Sequence, residues 1–89
     1  MQVTLEISMY PLKNEYEAYI IDFISRLKHN EGILVKTNAM STYIQGEFED
    51  VWNLLGKELN GTFESGIPVS NVIKIIPRAL PLKDNWLEF

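Results

Sequence analysis

Six residues in two short segments have side chains suited to bind a small polar molecule. They are Ser8, Tyr10, Asn38, Met40, Ser41 and Thr42. The hydroxyl and amide groups can donate and accept hydrogen bonds at the edge of a polar heterocycle. The tyrosine ring and the methionine thioether offer flat or adaptable surfaces on which such a ring can stack. These residue types favour a small-molecule pocket.

The same segments also have a purely structural interpretation. Tyr10 and Tyr43 are large aromatic residues that could pack at a subunit interface, and the nearby hydroxyls could simply satisfy backbone groups. Residue types alone leave both interpretations open.

Catalytic and metal-binding patterns are missing from the sequence. The single histidine, His29, lies near the predicted end of a helix, where a cation or a hydrogen-bond donor is favourable. Asp22, Glu49 and Asp50 have the spacing of solvated or helix-dipole-complementing charges. The chain has no glycine-rich phosphate loop, no nucleophile elbow and no histidine–glutamate set with ligand spacing. We therefore predict no catalytic residues, no metal site, no cofactor and no enzymatic activity.

Composition indicates one small folded domain with few classes of partner. The 89 residues are 46% apolar and 22% charged, as in ordinary globular proteins. The net charge is −4 and the eight Lys and Arg residues are scattered, which argues against nucleic acid and anionic membranes as partners. Cysteine is absent, so a disulfide framework and thiolate metal sites are excluded. No signal-like or membrane-spanning apolar segment is visible, and we expect a cytoplasmic protein.

In the first half of the chain, a predicted strand and the helix after it position Ser8 and Tyr10. Apolar residues alternate with polar ones in the first strand, at Val3, Leu5, Ile7 and Met9, until Pro11 ends it. Asn14 is predicted to cap the helix that follows. That helix has an apolar stripe with helical spacing, formed by Tyr16, Tyr19, Ile20, Phe23, Ile24 and Leu27.

The second half of the chain must position the segment from Asn38 to Thr42. Strands are predicted at 33–37 and 41–46, and the short connection between them suits a hairpin. A second helix is predicted at 47–63, with Gly61 marking its exit. Its predicted buried stripe comprises Phe48, Val51, Trp52, Leu55, Leu59 and Phe63. A fourth strand is predicted at 69–76.

This β-α-β-β-α-β order predicts an α+β, ferredoxin-like sandwich. Short right-handed connections give a four-stranded antiparallel sheet in the order 4-1-3-2, with both helices on one face. We place this domain at residues 1–77 and a C-terminal tail at 78–89. Strands one and three are then neighbours, so the two polar segments should meet on the sheet face away from the helices, which this chain leaves uncovered.

The fourth strand predicts self-association. Residues 72–76 are apolar on both sides except for Lys74, so one side should pack on the helices and the other should face outward with Leu34. Exposed apolar sheet surfaces mark interfaces. We therefore predict a homodimer or homotetramer that forms through the open sheet face. In the tail, Trp86, Leu87 and Phe89 are candidates for docking on a neighbouring subunit.

Three segments resemble the thiamine-binding, YkoF-like family of small ferredoxin-like proteins. The first is Ile7-Ser8-Met9-Tyr10-Pro11-Leu12, which is similar to a strand-ending Ser-x-Tyr-Pro motif. The second, 40–51, is similar to a Met-x-Thr-x-x-x-Gly-x-x-x-x-Val signature, and the third is Val72-Ile73-Lys74-Ile75. The resemblance covers residues 2 to about 77.

The resemblance implies non-catalytic binding of thiamine or its hydroxymethylpyrimidine part, with dimers or tetramers formed through the sheets. By position it makes Ser8, Tyr10, Met40, Ser41 and Thr42 pocket residues. The leading hypothesis is a thiamine carrier, a buffer or a salvage protein. The alternative is a structural or regulatory oligomerisation module without a small-molecule ligand.

Overall fold

The computed structural model describes residues 1–82 and confirms the predicted ferredoxin-like architecture. The elements are β1 (Gln2–Pro11), α1 (Tyr16–Lys28), β2 (Leu34–Thr37), β3 (Thr42–Glu47), α2 (Phe48–Glu64) and β4 (Val69–Ile76). All strand pairs are antiparallel, and the sheet order is β2-β3-β1-β4. Both helices cover the same face of the sheet, and the other face is called the open face below.

The alternation along β1 produces the core. Its four apolar side chains are buried on the helix side, and each such side chain contributes roughly 1.5–3 kcal/mol when fully buried. They pack against residues of both helices and of β3: Phe23, Leu27, Ile44, Val51, Leu54 and Leu55. Because β1 is a central strand, this core also fixes which of its side chains reach the open face.

The predicted cap of α1 is wrong. The N-cap residue is Glu15, which has a left-handed backbone (φ 63°) and makes no side-chain capping hydrogen bond. The connection from β1 is short and is held to the segment before β4 by the Leu12 N–H, which donates to the Pro68 carbonyl at 2.8 Å. The left-handed backbone of Glu15 turns the chain within this short connection. Glu15 therefore occupies the capping position instead of Asn14. At the other end of α1, His29 is the C-cap residue, which agrees with its predicted position near the end of the helix.

The predicted buried stripe of α2 is partly wrong. Phe48 and Trp52 are 42% and 51% exposed, and their rings stack on each other with centroids 6.0 Å apart. Phe63 is also exposed. Val51 and Leu55 are buried as predicted, and Leu59 packs against the core. The other buried residues of α2 are Leu54, Glu58 and Thr62. α2 begins directly after β3 without a loop, so the strand fixes the rotational phase of the helix, which apolar spacing alone does not define.

Gly61 does not end α2, which continues to Glu64. A Cβ at Gly61 would lie 2.6 Å from Nη1 of Arg26. The glycine therefore leaves space for a guanidinium group that crosses from α1 to α2.

Residues 72–76 of β4 are exposed on both faces, contrary to the prediction that one face packs on the helices, and only Val69 at the start of the strand packs against the core. The helices lie mainly over β1, β2 and β3. On the helix side, Ile73 and Ile75 are 39% and 45% exposed, and on the open side Val72 and Ile76 are 52% and 39% exposed. The two helices are too narrow a layer to cover the outermost strand.

The open face is not fully uncovered, because the chain folds back over it after β4. We call residues 78–82 the strap. The Thr4 hydroxyl donates to the Arg78 carbonyl at 2.8 Å and accepts from the Leu80 N–H at 3.0 Å and from Gln45 Nε2 at 2.8 Å. Gln45 Nε2 also donates to the Leu80 carbonyl at 2.7 Å, and Leu82 is buried. The predicted docking residues Trp86, Leu87 and Phe89 lie outside the described residues.

Replacing Thr4 by valine should release the strap. The change removes a hydroxyl that uses its one proton and both lone pairs, and it leaves the Leu80 N–H without this acceptor. We expect a loss of about 1–3 kcal/mol of unfolding free energy and faster hydrogen exchange at Leu80. Thr37→Val is the matched control, since the Thr37 hydroxyl bonds only within the β2–β3 hairpin. Unchanged exchange at Leu80 in Thr4→Val would contradict this role.

Among residues 1–82, neither helix has the length and apolarity needed to cross a membrane.

Candidate functional site

The β2–β3 turn is shaped by Asn38. Its Oδ1 accepts hydrogen bonds from the backbone N–H groups of Met40 at 2.8 Å and Ser41 at 2.9 Å, and its own N–H donates to the Ser41 carbonyl at 3.0 Å. An asparagine that satisfies the backbone two and three residues ahead is a common way to build a tight turn. The Asn38 Nδ2 group has no hydrogen-bond partner within residues 1–82 and remains able to donate.

This turn closes one side of a cleft of about 120 Å³, which we call the turn cleft. Its apolar wall comes from α1 and includes Ile20, Phe23 and Ile24. Five of the six predicted binding residues line it: Ser8, Asn38, Met40, Ser41 and Thr42. The hairpin thus brings residues from β1 and from the β2–β3 turn to one place, as their positions in the sequence predicted.

The predicted common face is wrong for Thr42. The register pairs Thr42 with Ile7, so its side chain lies on the helix side, where it is buried and its hydroxyl lies 3.0 Å from that of Thr37. Ser8 alternates with Ile7 and lies on the other side of β1. The turn cleft therefore opens at the end of the sheet, where groups from both faces are accessible.

Ser8 and Tyr10 differ in their relation to the turn cleft. The Ser8 hydroxyl donates one long hydrogen bond of 3.4 Å to the Met40 carbonyl, so it is only weakly engaged. Tyr10 is not part of the cleft lining. It pairs with Ser70 on β4, beyond the part of β1 that pairs with β3, and its side chain is half exposed.

A second cleft, the strap cleft, lies on the open face and measures about 330 Å³. Its lining is Thr4, Glu6, Tyr43, Lys74, Ile75, Ile76, Leu80 and Leu82. The Glu6 carboxylate accepts a hydrogen bond from the Ser41 hydroxyl at 3.1 Å and lies 3.9 Å from Lys74 Nζ. Sequence reasoning missed this cleft because it did not predict the strap. The only signal was a glutamate in the middle of a central strand.

Ser41 connects the two clefts. It lines the turn cleft, while its hydroxyl donates to Glu6 in the strap cleft. A ligand that accepted a hydrogen bond from the Ser41 hydroxyl would compete with the Glu6 carboxylate for its single proton.

The groups that line the turn cleft are suited to binding a ring. They offer hydroxyl and amide hydrogen bonds, a thioether and aliphatic and aromatic side chains. An apolar cavity of about 150 Å³ holds one benzene molecule, so the size of the turn cleft matches a single ring. In residues 1–82, no group of three or more histidine, cysteine, aspartate or glutamate side chains is placed to hold a metal ion.

The order of the strands, the helices on one face and the cleft beside the β2–β3 turn define a small ferredoxin-like domain with a ring-sized cleft at one end of its sheet. The sequence matches the thiamine-binding protein family over residues 5–79. The chain therefore belongs to the thiamine-binding protein family, which confirms the resemblance seen in its motifs.

Solved structures share this fold. A protein from Streptococcus pneumoniae superposes with a TM-score of 0.82 at 22% identity, with 100% of both chains covered. A hypothetical protein from Methanocaldococcus jannascii has a TM-score of 0.75 at 25% identity and covers 98% of this chain and 89% of its own. A candidate thiamine biosynthesis or salvage protein from Thermotoga maritima has a TM-score of 0.76 at 17% identity, with 96% and 92% covered. Comparison with curated proteins gave no significant match.

Proposed function

We propose that this protein binds thiamine through its hydroxymethylpyrimidine part in the turn cleft, without catalysis, as a carrier, buffer or salvage protein. One observation carries the proposal: five of the six candidate residues line a single cleft in a chain of the thiamine-binding protein family. The Thermotoga maritima relative of the same fold, a candidate for thiamine biosynthesis or salvage, supports the choice of pathway.

The size and lining of the turn cleft favour the pyrimidine ring over the whole vitamin. About 120 Å³ accommodates one ring, whereas pockets for larger ligands begin near 300 Å³. We assign the ring to the apolar wall that includes Phe23, opposite Met40. The Ser8 hydroxyl and the Asn38 amide would form hydrogen bonds with the polar edge of the pyrimidine ring. The cationic thiazolium would stay outside the cleft, at the surface of a protein whose net charge is −4.

Tyr10 has a separate role in this proposal. It lies two residues beyond Ser8 on the same side of β1, roughly 7 Å further along the strand. Its half-exposed ring would stack on the part of the ligand that protrudes from the cleft.

Thermal denaturation with hydroxymethylpyrimidine and thiamine tests the proposal directly. A ligand at 100 times its Kd stabilises the folded state by about 2.7 kcal/mol. For a domain of this size, that raises Tm by about 10 °C or more. We expect both compounds to raise Tm, because they share the ring. Absence of any shift with either compound at millimolar concentration would refute the ligand assignment.

Ser8→Ala should weaken binding without lowering the stability of the ligand-free protein. The Ser8 hydroxyl makes only one long hydrogen bond in the absence of ligand, and a lost ligand hydrogen bond costs about 0.5–1.5 kcal/mol, or roughly two- to tenfold in Kd. Ser70→Ala is the matched control, an exposed serine on the same face that is not part of the cleft lining. Calorimetric titration compares the two. Equal Kd values for both variants would show that Ser8 does not contact the ligand.

The alternative function is assembly through the open face, which the apolar residues exposed there favour. Leu34 and Val72 are 44% and 52% exposed on this face. We propose that two copies associate through the area that the strap leaves free, as a dimer or as part of a tetramer. Sedimentation at micromolar concentration tests this, and a monomer would refute it. Association without a thermal shift from either compound would favour the assembly function over ligand binding.

A further inference from the structure

The two outer strands of the sheet differ sharply in how they are protected. β2 has four residues, one of them Lys36. β4 has eight residues, contains no proline or glycine, and carries Lys74 as its one charged residue. Natural proteins protect edge strands by shortening them or by adding charges, prolines or bulges, because a free edge can pair with another strand. β2 is protected by its shortness, whereas β4 has only the single charge of Lys74 along eight residues.

The apolar side chains of β4 are exposed on both sides of the sheet. Ile73 and Ile75 lie on the helix side, and Val72 and Ile76 lie on the open side. A partner that packs only on the open face leaves the two helix-side isoleucines in water. A strand added along the free edge covers apolar surface on both sides at once.

We propose that β4 pairs antiparallel with β4 of a second copy, so that two four-stranded sheets join edge to edge into one continuous sheet. The strand that pairs with β4 must have a free edge, a similar length and apolar side chains on both sides of its sheet. Within residues 1–82 only β4 meets this requirement, so a second copy is the matching partner. A two-fold axis makes the contact self-complementary, as in most homodimers. On the helix side the Ile73 and Ile75 residues of both copies then pack together between the two helix layers.

The charge of Lys74 limits the register. Directly opposed like charges on neighbouring strands are destabilising, so the two-fold axis does not pass through Lys74. An axis through Ile73 places Lys74 opposite Val72 of the other copy. An axis through Val72 places it opposite Ser70. Both registers bury the apolar centre of β4 without a like-charge contact.

This edge contact is separate from the ligand and from the open-face contact proposed above. Ile73 and Asn71 lie on the helix side of β4, as shown by their pairing with Ile7 and Met9. Two copies that pack open face to open face therefore keep these residues apart. Substitutions at these positions report on the edge contact alone.

Disulfide trapping tests the proposal, because the chain has no cysteine of its own. Opposite residues on antiparallel strands have Cα atoms about 4.5–5.5 Å apart, within the range of a disulfide. Ile73→Cys should give a covalent dimer on oxidation if the axis passes through Ile73. The double variant Asn71→Cys, Ile73→Cys should do so if it passes through Val72. Ser25→Cys, an exposed position on α1 away from both β4 and the open face, is the control and should remain monomeric on a non-reducing gel.

Sedimentation of Ile73→Lys provides a second readout that does not depend on oxidation. Position 73 is 39% exposed, so the folded monomer tolerates lysine, but two lysines close to the axis repel each other. We expect the dissociation constant of the dimer to rise by about tenfold or more, whereas Ser25→Lys on α1 leaves it unchanged. The proposal is overturned if neither cysteine variant crosslinks, if Ser25→Cys crosslinks as well as they do, or if Ile73→Lys associates like the parent protein.

Discussion

Phe23→Ala is expected to lower the free energy of unfolding by about 3–5 kcal/mol. The Phe23 ring is 1% exposed and packs in the core between α1 and the sheet. Alanine leaves a cavity that its neighbours fill only in part. Against a total stability of about 5–15 kcal/mol for a small domain, this loss is large. Urea unfolding of the two proteins measures it.

Trp52→Ala is the matched control for Phe23→Ala. Trp52 is larger than Phe23 but is 51% exposed, and its ring stacks on that of Phe48. Its removal should cost less than that of Phe23: about 0.5–1.5 kcal/mol for the lost aromatic pair, in addition to the loss of its partly buried surface. Similar losses for the two variants would contradict the rotational phase that the structure gives to α2.

Phe23→Ala should also affect the proposed site, since Phe23 forms part of the wall of the turn cleft. We expect weaker binding of hydroxymethylpyrimidine, measured at a temperature where the variant is fully folded. Trp52→Ala should bind like the parent protein.

Arg26→Met is expected to lower the free energy of unfolding by about 3 kcal/mol, since breaking a buried ion pair strands its partner. From α1, Arg26 donates to the Glu58 carbonyl and to the Thr62 hydroxyl, each at 2.9 Å, and to Asp22 at 3.0 Å. Its guanidinium also lies 3.6 Å from the Glu58 carboxylate, whose side chain is only 11% exposed. Methionine keeps the packing of the stem but leaves that carboxylate without its cation.

A second change separates the ion pair from general damage to the helix. Combining Arg26→Met with Glu58→Met removes the stranded charge, so the double variant should be more stable than Arg26→Met alone. Lys28→Met is the control on the same helix, where an exposed basic residue should change stability by about 0.5 kcal/mol or less. If Arg26→Met costs no more than Lys28→Met, the bridge between α1 and α2 does not stabilise the fold.

Much of this protein is determined locally and could be predicted from the sequence. The alternation from Val3 to Met9 defines which side of β1 is buried, because successive side chains of a strand point to opposite faces. Val69–Ile76 has the bounds predicted for the fourth strand. Given the order of elements, short right-handed connections leave few topologies, so the sheet order could be predicted as well. The proximity of Ser8 to the segment from Asn38 to Thr42 then follows.

Other features depend on contacts between distant parts of the chain. The phase of α2 is fixed by its direct junction with β3, which turns Leu54 into the core and leaves Phe48 and Trp52 half exposed although their spacing is helical. The face occupied by Thr42 depends on its register with Ile7, and a shift of one residue would reverse it. The strap depends on Thr4 and Gln45 meeting Leu80, far along the chain. Sequence patterns report periodicity within an element, whereas register, rotational phase and fold-back depend on which surfaces finally pack together, and these are decided only in the tertiary structure.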